Sequence, residues 1–275
     1  MKTSLFFACT ILLFACNSAQ LQVDDKIAKT NTKNSLGVIS LEDYYNFLGT
    51  SGTFNFSISS NKSNLPPEIT DYGTYQVGGA VDQAINARNY INVGSIKIGN
   101  LSLNVNTNQR KPNTYFLMDR ETCKPLFGKM LRFEIPHPNS TIKYIDSLYA
   151  PADLVMSSPV YNGNNPIQKG SDLVLKWNKD SKNQGGVIIM VDYAPLGNEP
   201  TDYSGPTPPY VFAKLVEDTG NFTLPKEILD MIPNGRGGNI QLFRGAFKLS
   251  SKQVNTRLET YRISVVSHII ITLNF

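Results

Sequence analysis

Beyond residue 50 apolar and polar residues trade places one by one. Phe54, Phe56 and Ile58 alternate with Thr53, Asn55, Ser57 and Ser59, and Leu131, Phe133 and Ile135 alternate with Arg132 and Glu134. A period of two puts every second side chain on one face of an extended chain, so these stretches are half-buried strands and not helices. Ile96, Ile98, Leu101, Leu103 and Val105 continue the pattern around Gly99-Asn100, which marks a turn or bulge. Composition agrees: 27 of the 275 residues are Asn, a residue that tolerates left-handed turns and closes Asx-turns between short strands. An all-β fold follows, with one or two short helices. With 41% hydrophobic and 17% charged residues, the chain is too apolar to be disordered.

The first residues read differently. Lys2 is followed by an apolar run from Leu5 to Ala15, the length of an export signal and too short for a membrane helix of about 20 residues. The run ends in Leu13-Phe14-Ala15-Cys16, which resembles the lipobox of bacterial lipoproteins, with Phe14 bulkier than the small residue usual at its position. The resemblance implies cleavage after Ala15 and a diacylglycerol, with palmitate-type chains, on Cys16. An ordinary secretory signal cut near Ala15 or Ala19 is the alternative. Each buried methylene contributes about 0.8 kcal/mol, so two or more chains hold a protein on a membrane stably. The expected location is the cell envelope, lipid-anchored to a membrane, with the outer membrane favoured.

Organisation follows from composition shifts. Residues 1–15 form the signal and 16–39 the lipidated N-terminus with a polar tether, whose root-mean-square span is about 25 Å. Ser40 and Asp43 look like a capping box opening a short helix that ends at Gly49. Residues 40–145 form a β-rich unit in which Asp71 to Asn92 is open between helix and loop, and Pro136-His137-Pro138 closes the run. Residues 146–275 hold about seven strand signals: 153–156, 172–177, 187–193, 211–216, 220–224, 239–247 and 261–275. Pro225 to Ile232 reads as one or two helical turns between two of them.

Gly170 to Trp177, a loop, and Gly186 to Tyr193 resemble the second and third strands of fibronectin type III and immunoglobulin-like domains. The resemblance implies a β-sandwich in which Trp177, the only tryptophan, packs between the sheets with Leu173 and Leu175 on its inward face. Asp218 to Pro225 and Asn239 to Gly245 are similar to pieces that recur in uncharacterised envelope lipoproteins, a likeness over residues 126–275 that carries no activity.

Residues able to do chemistry are few. Neither His137 nor His268 has a His or Cys at metal-ligand spacing, and no Gly-x-Ser-x-Gly elbow positions a serine. Neither a metal nor a cofactor is expected. Cys123 sits in a polar, turn-like setting and reads as structural. Glu134, Asp146, Asp180, Asp192, Glu217 and Asp218 could supply the carboxylate pair of a polysaccharide hydrolase, although their spacing selects no two of them. Asn178 to Gly185 lacks the terminal Glu of a calcium loop, and Gly235 to Gly238 lacks the lysine of a phosphate loop. Ala194 to Tyr210 holds five prolines and displays Tyr203 and Tyr210, stiff and amphipathic enough for a ligand-binding loop. Phe275 resembles the end of an outer-membrane barrel strand, but the Pro-rich loops fit a last sandwich strand better. Beyond the signal the balance is 25 basic to 22 acidic residues without a basic cluster, so nucleic acid is not an expected partner. The expectation is a non-catalytic, membrane-anchored envelope lipoprotein that binds a glycan or an envelope protein, the polysaccharide hydrolase being the alternative.

Overall fold

The computed structural model describes residues 54–64, 73–81, 90–107, 113–137, 141–159, 167–193, 210–232, 234, 237–254 and 257–274. The described chain is all-β, with fourteen strands and short helical turns. The expected helix between Ser40 and Gly49 lies outside the described residues.

Two long strands organise the molecule. β13 (Gly237–Val254) and β14 (Arg257–Asn274) have 18 residues each and pair antiparallel from Gly237↔Asn274 to Val254↔Arg257. At about 3.4 Å per residue the hairpin is about 60 Å long. Sequence patterning stops the first of these near Phe247, because Lys248, Ser250 and Lys252 break the apolar alternation. The ladder to β14 carries the strand on regardless, and those polar side chains reach across to a neighbouring strand.

β1 (Phe54–Asn64) runs parallel to β14, with Phe54 opposite Tyr261, and β2 (Gly73–Val81) and β5 (Thr114–Met118) follow outward. On the other side β10 (Val187–Tyr193) pairs with β13, and β11 (Tyr210–Val216) with β10. The seven-stranded order is β11-β10-β13-β14-β1-β2-β5. The segment left open between helix and loop therefore holds a strand. Gly78 fits closely there, since a Cβ would lie 3.1 Å from the Phe116 ring and 3.2 Å from the Tyr115 carbonyl.

Two smaller sheets cover the inner face. β3 (Ile96–Ile98), β4 (Leu101–Leu103), β6 (Lys129–Pro136) and β7 (Lys143–Ala150) form the order β4-β3-β6-β7. Their Ile98, Leu131, Phe133 and Ile135 pack with Phe56, Ile58, Val77 and Ile263 in one apolar cluster. The bridge Val105↔Tyr115 ties this sheet to β5 at one edge. Between β5 and β6 lie α1 (Arg120–Cys123), capped by the Asp119 carboxylate, and a 3-10 turn. β8 (Met156–Ser158), β9 (Leu173–Trp177) and β12 (Asn221–Leu224) form the third sheet, β12-β9-β8. Leu175 and Trp177 pack with Ile189, Leu242, Ile269 and Ile271 in a second cluster, which α2 (Lys226–Asp230) joins through Leu229.

The first cluster runs to Ala150 and the second begins at Leu154. β14 serves both: Tyr261, Ile263 and Val265 enter the first and Ile269, Ile271 and Leu273 the second, with buried Ser267 at the changeover. No helix among the described residues is long and apolar enough to cross a membrane.

Candidate functional site

The crossing between the two cores, residues 151–155, carries most of the buried polar chemistry. Asp153, placed in a strand by the alternation alone, instead sits just before β8 and enters a buried network. Its Oδ1 lies 2.6 Å from Ser60 Oγ and 2.8 Å from Ser267 Oγ; its Oδ2 accepts from Lys62 Nζ at 2.5 Å and the Tyr75 hydroxyl at 2.7 Å. Lys62 also donates to the Leu154 carbonyl at 2.6 Å. Burial pushes the Asp153 carboxyl up, but Lys62 and the two hydroxyls outweigh it and hold the group ionised below its ordinary range.

On the opposite side of the crossing Arg244 is wholly buried. It donates to the carbonyls of Ala152, at 3.1 Å, and Asn178, and pairs with Asp218 Oδ1 at 2.8 Å. Trp177 Nε1 donates to the same oxygen at 2.9 Å, and Asn183 Nδ2 to Oδ2 at 2.9 Å. Asp180 accepts from the backbone N–H of Ala152 at 2.7 Å and of Lys182 at 3.0 Å, and from the Tyr149 hydroxyl, which burial and this carboxylate push up to about 12. Two of the six candidate carboxylates thus meet at one network, with partners drawn from the fold itself.

The others lie apart. Asp146 accepts from Lys248 and from the Tyr144 hydroxyl at 2.6 Å, and Tyr144 also meets Ser250. Tyr144 stacks on Tyr261 at 3.9 Å, Tyr261 donates to Glu259 at 2.9 Å, and Glu259 lies 2.9 Å from His137 Nε2. Burial raises both tyrosine hydroxyls above their usual range. This cluster joins β7 to the far half of β13 by side chains. Glu134 pairs with Arg132 at 3.2 Å, and the Glu217 carbonyl accepts from Thr219 N.

Asp192 lies on the outer face of the large sheet. Asn239 Nδ2 donates to it at 2.9 Å and Gln241 Nε2 also donates, while Gln241 Oε1 lies 2.9 Å from His268 Nε2. Burial raises the Asp192 carboxyl and lowers the His268 imidazole to about 4. A histidine held neutral in the fold contributes stability above its unfolded pKa of about 6.5 and loses it as pH falls toward 4. The loss is about 2 to 3 kcal/mol at pH 4.5, partly offset by Asp192, whose raised pKa acts in the opposite direction. Urea midpoints at pH 7 and 4.5 should therefore differ less for His268→Gln than for the wild type; an unchanged difference contradicts the assignment.

The remaining candidate positions are placed as follows. Cys16 and Tyr203 lie outside the described residues. Tyr210 opens β11 opposite Asp192, at the register shift between Val191 and Asp192. β10 thus ends at Tyr193, opposite Gly238, and residues 194–209, which join it to β11, lie outside the described residues. Cys123 is buried, not in a polar turn, with Sγ 3.9 Å from the Leu117 carbonyl, and burial raises its thiol. Among the described residues no three His, Cys, Asp or Glu side chains gather as a metal site. A scan of protein-family models and a search of curated proteins both return no match for this chain.

Proposed function

We infer that the protein is a non-catalytic envelope lipoprotein, anchored through Cys16, that binds an envelope glycan or protein at one end of its long sheet. The observation that carries this reading is the direction of the strands. β1 begins beside Tyr261, near the turn of the β13–β14 hairpin, whereas β10 ends and β11 begins beside Gly238 and Leu273. Those levels are twelve residues apart along β14, about 40 Å. An anchor at the N-terminal side and a recognition loop at residues 194–209 are then attached to opposite ends of the sheet.

Two further observations support it. The strands β12-β9-β8 pack through Leu175 and Trp177 against the β10, β13 and β14 part of the large sheet, and this two-layer packing supports the sandwich that the resemblance to fibronectin type III and immunoglobulin-like domains implies. Such domains recognise partners through loops held by a rigid scaffold. Asp180 and Asp218, the two candidate carboxylates that share a network, are engaged by Ala152 N, Arg244, Trp177 and Asn183, which serve the fold.

A pull-down from envelope extracts with the full chain, run beside a Tyr203→Ala and Tyr210→Ala double variant, tests the reading. Capture of a glycan or protein should fall at least tenfold in the variant, as expected when two aromatic anchors of more than about 1 kcal/mol each are removed. Equal capture by both forms would refute the loop as the binding element.

A further inference from the structure

Asp192, Gln241 and His268 form a diagonal row across three strands, and the binding role above makes no use of it. Gln241 stands opposite Met190 on β10 and Ile270 on β14, one outer-face position away from Asp192 on one side and from His268 on the other. A side-chain amide has a donor end and an acceptor end. With its N–H toward the Asp192 carboxylate, Gln241 turns its carbonyl to His268, so the neutral imidazole carries its proton on Nε2. Phe243 fixes the ring plane by stacking on it at 4.1 Å and 6°.

We propose that this row is a proton-coupled switch, in which proton uptake by Asp192 turns the Gln241 amide over and moves the His268 proton from Nε2 to Nδ1. One proton from water binds Asp192 Oδ2, which then donates to Gln241 Oε1. The turned amide donates Nε2–H to His268 Nε2; that nitrogen's proton passes to water, and water supplies one to Nδ1. The net uptake is one proton, and only O–H and N–H bonds change. A second proton on the ring would set the imidazole N–H against the amide N–H and break the row. Burial raises the Asp192 carboxyl and lowers the His268 imidazole, which moves the proton affinities of the two groups toward each other. On the same face of the described strands the neighbours Met190, Val266, Ile270 and Asn61 are not titratable, while Tyr210 holds the ladder position opposite Asp192. Because Asp192 sits at the register shift next to the last residue of β10, the switch acts on the end of that strand.

Long-range proton–nitrogen correlation on the full chain, 15N-labelled at histidine and held in detergent micelles, reads the two ring nitrogens directly. The chain has two histidines, and His137→Gln assigns them. At pH 7.5 His268 should show the Nε2–H pattern, and the Nδ1–H pattern should grow in on acidification toward pH 4. In Asp192→Leu, which removes the proton site and offers no donor to the amide, the Nε2–H pattern should persist until the ring charges. A wild-type ring that passes from Nε2–H straight to the charged form overturns the proposal, as does growth of the Nδ1–H pattern in Asp192→Leu.

Discussion

Replacing Arg244 by methionine should destabilise the protein by about 3 to 5 kcal/mol, the usual cost of leaving one member of a buried ion pair without its partner. The side chains of Arg244 and Asp218 are 0% and 2% exposed, so water cannot take over the lost contacts. The same change strips a donor from the carbonyls of Ala152 and Asn178, which belong to the crossing and to the loop after β9. Denaturant unfolding of Arg244→Met, Asp218→Asn and the double variant gives the coupling between the two sites. The double variant should be markedly less unstable than the sum of the single ones. A cost below about 1 kcal/mol for Arg244→Met would mean that the guanidinium does not hold the crossing.

Trp177→Ala should cost a similar amount, about 3 to 5 kcal/mol, from the lost apolar contact and the cavity left between β9 and β10. Its indole N–H also satisfies Asp218 Oδ1, so the loss reaches the Arg244 network. The effect should extend to the first core as well. β14 is one strand through both clusters, and Asp153 and Ser267 bond across the changeover. Hydrogen exchange at Ile263 and Val265 should accelerate together with exchange at Ile269 and Ile271. Faster exchange confined to the latter pair would show that the two cores open separately.

Much of the β architecture is legible in the sequence, because strict alternation at Phe54 to Ile58 and Leu131 to Ile135 has one physical meaning. Pairing is not legible in this way. β1 and β14 are about 200 positions apart in the chain and lie side by side in parallel, a contact no local pattern encodes. Strands with interrupted patterns were beyond local reading too: the Phe116 ring packs close over Gly78 in β2, and the far half of β13 is polar because its lysines bond to β7. The buried networks did leave a mark. Arg244 follows Ile240 and Leu242, Ser267 stands between Val265 and Ile269, and Ser60 follows Phe56 and Ile58, each a polar residue on the inward parity of its strand. A polar side chain at such a position needs a partner, but only the fold supplies its identity. The Asp192–Gln241–His268 row left a weaker mark, because outward polar residues are ordinary on any strand.

Anchoring is the step on which the functional account depends, and metabolic labelling with a radioactive fatty acid tests it most directly. Cells making the wild-type chain should yield a labelled protein that sediments with membranes, and Cys16→Ser should abolish the label while the polypeptide is still made. Label of equal strength in Cys16→Ser, or none in the wild type, would contradict a lipoprotein anchored at Cys16.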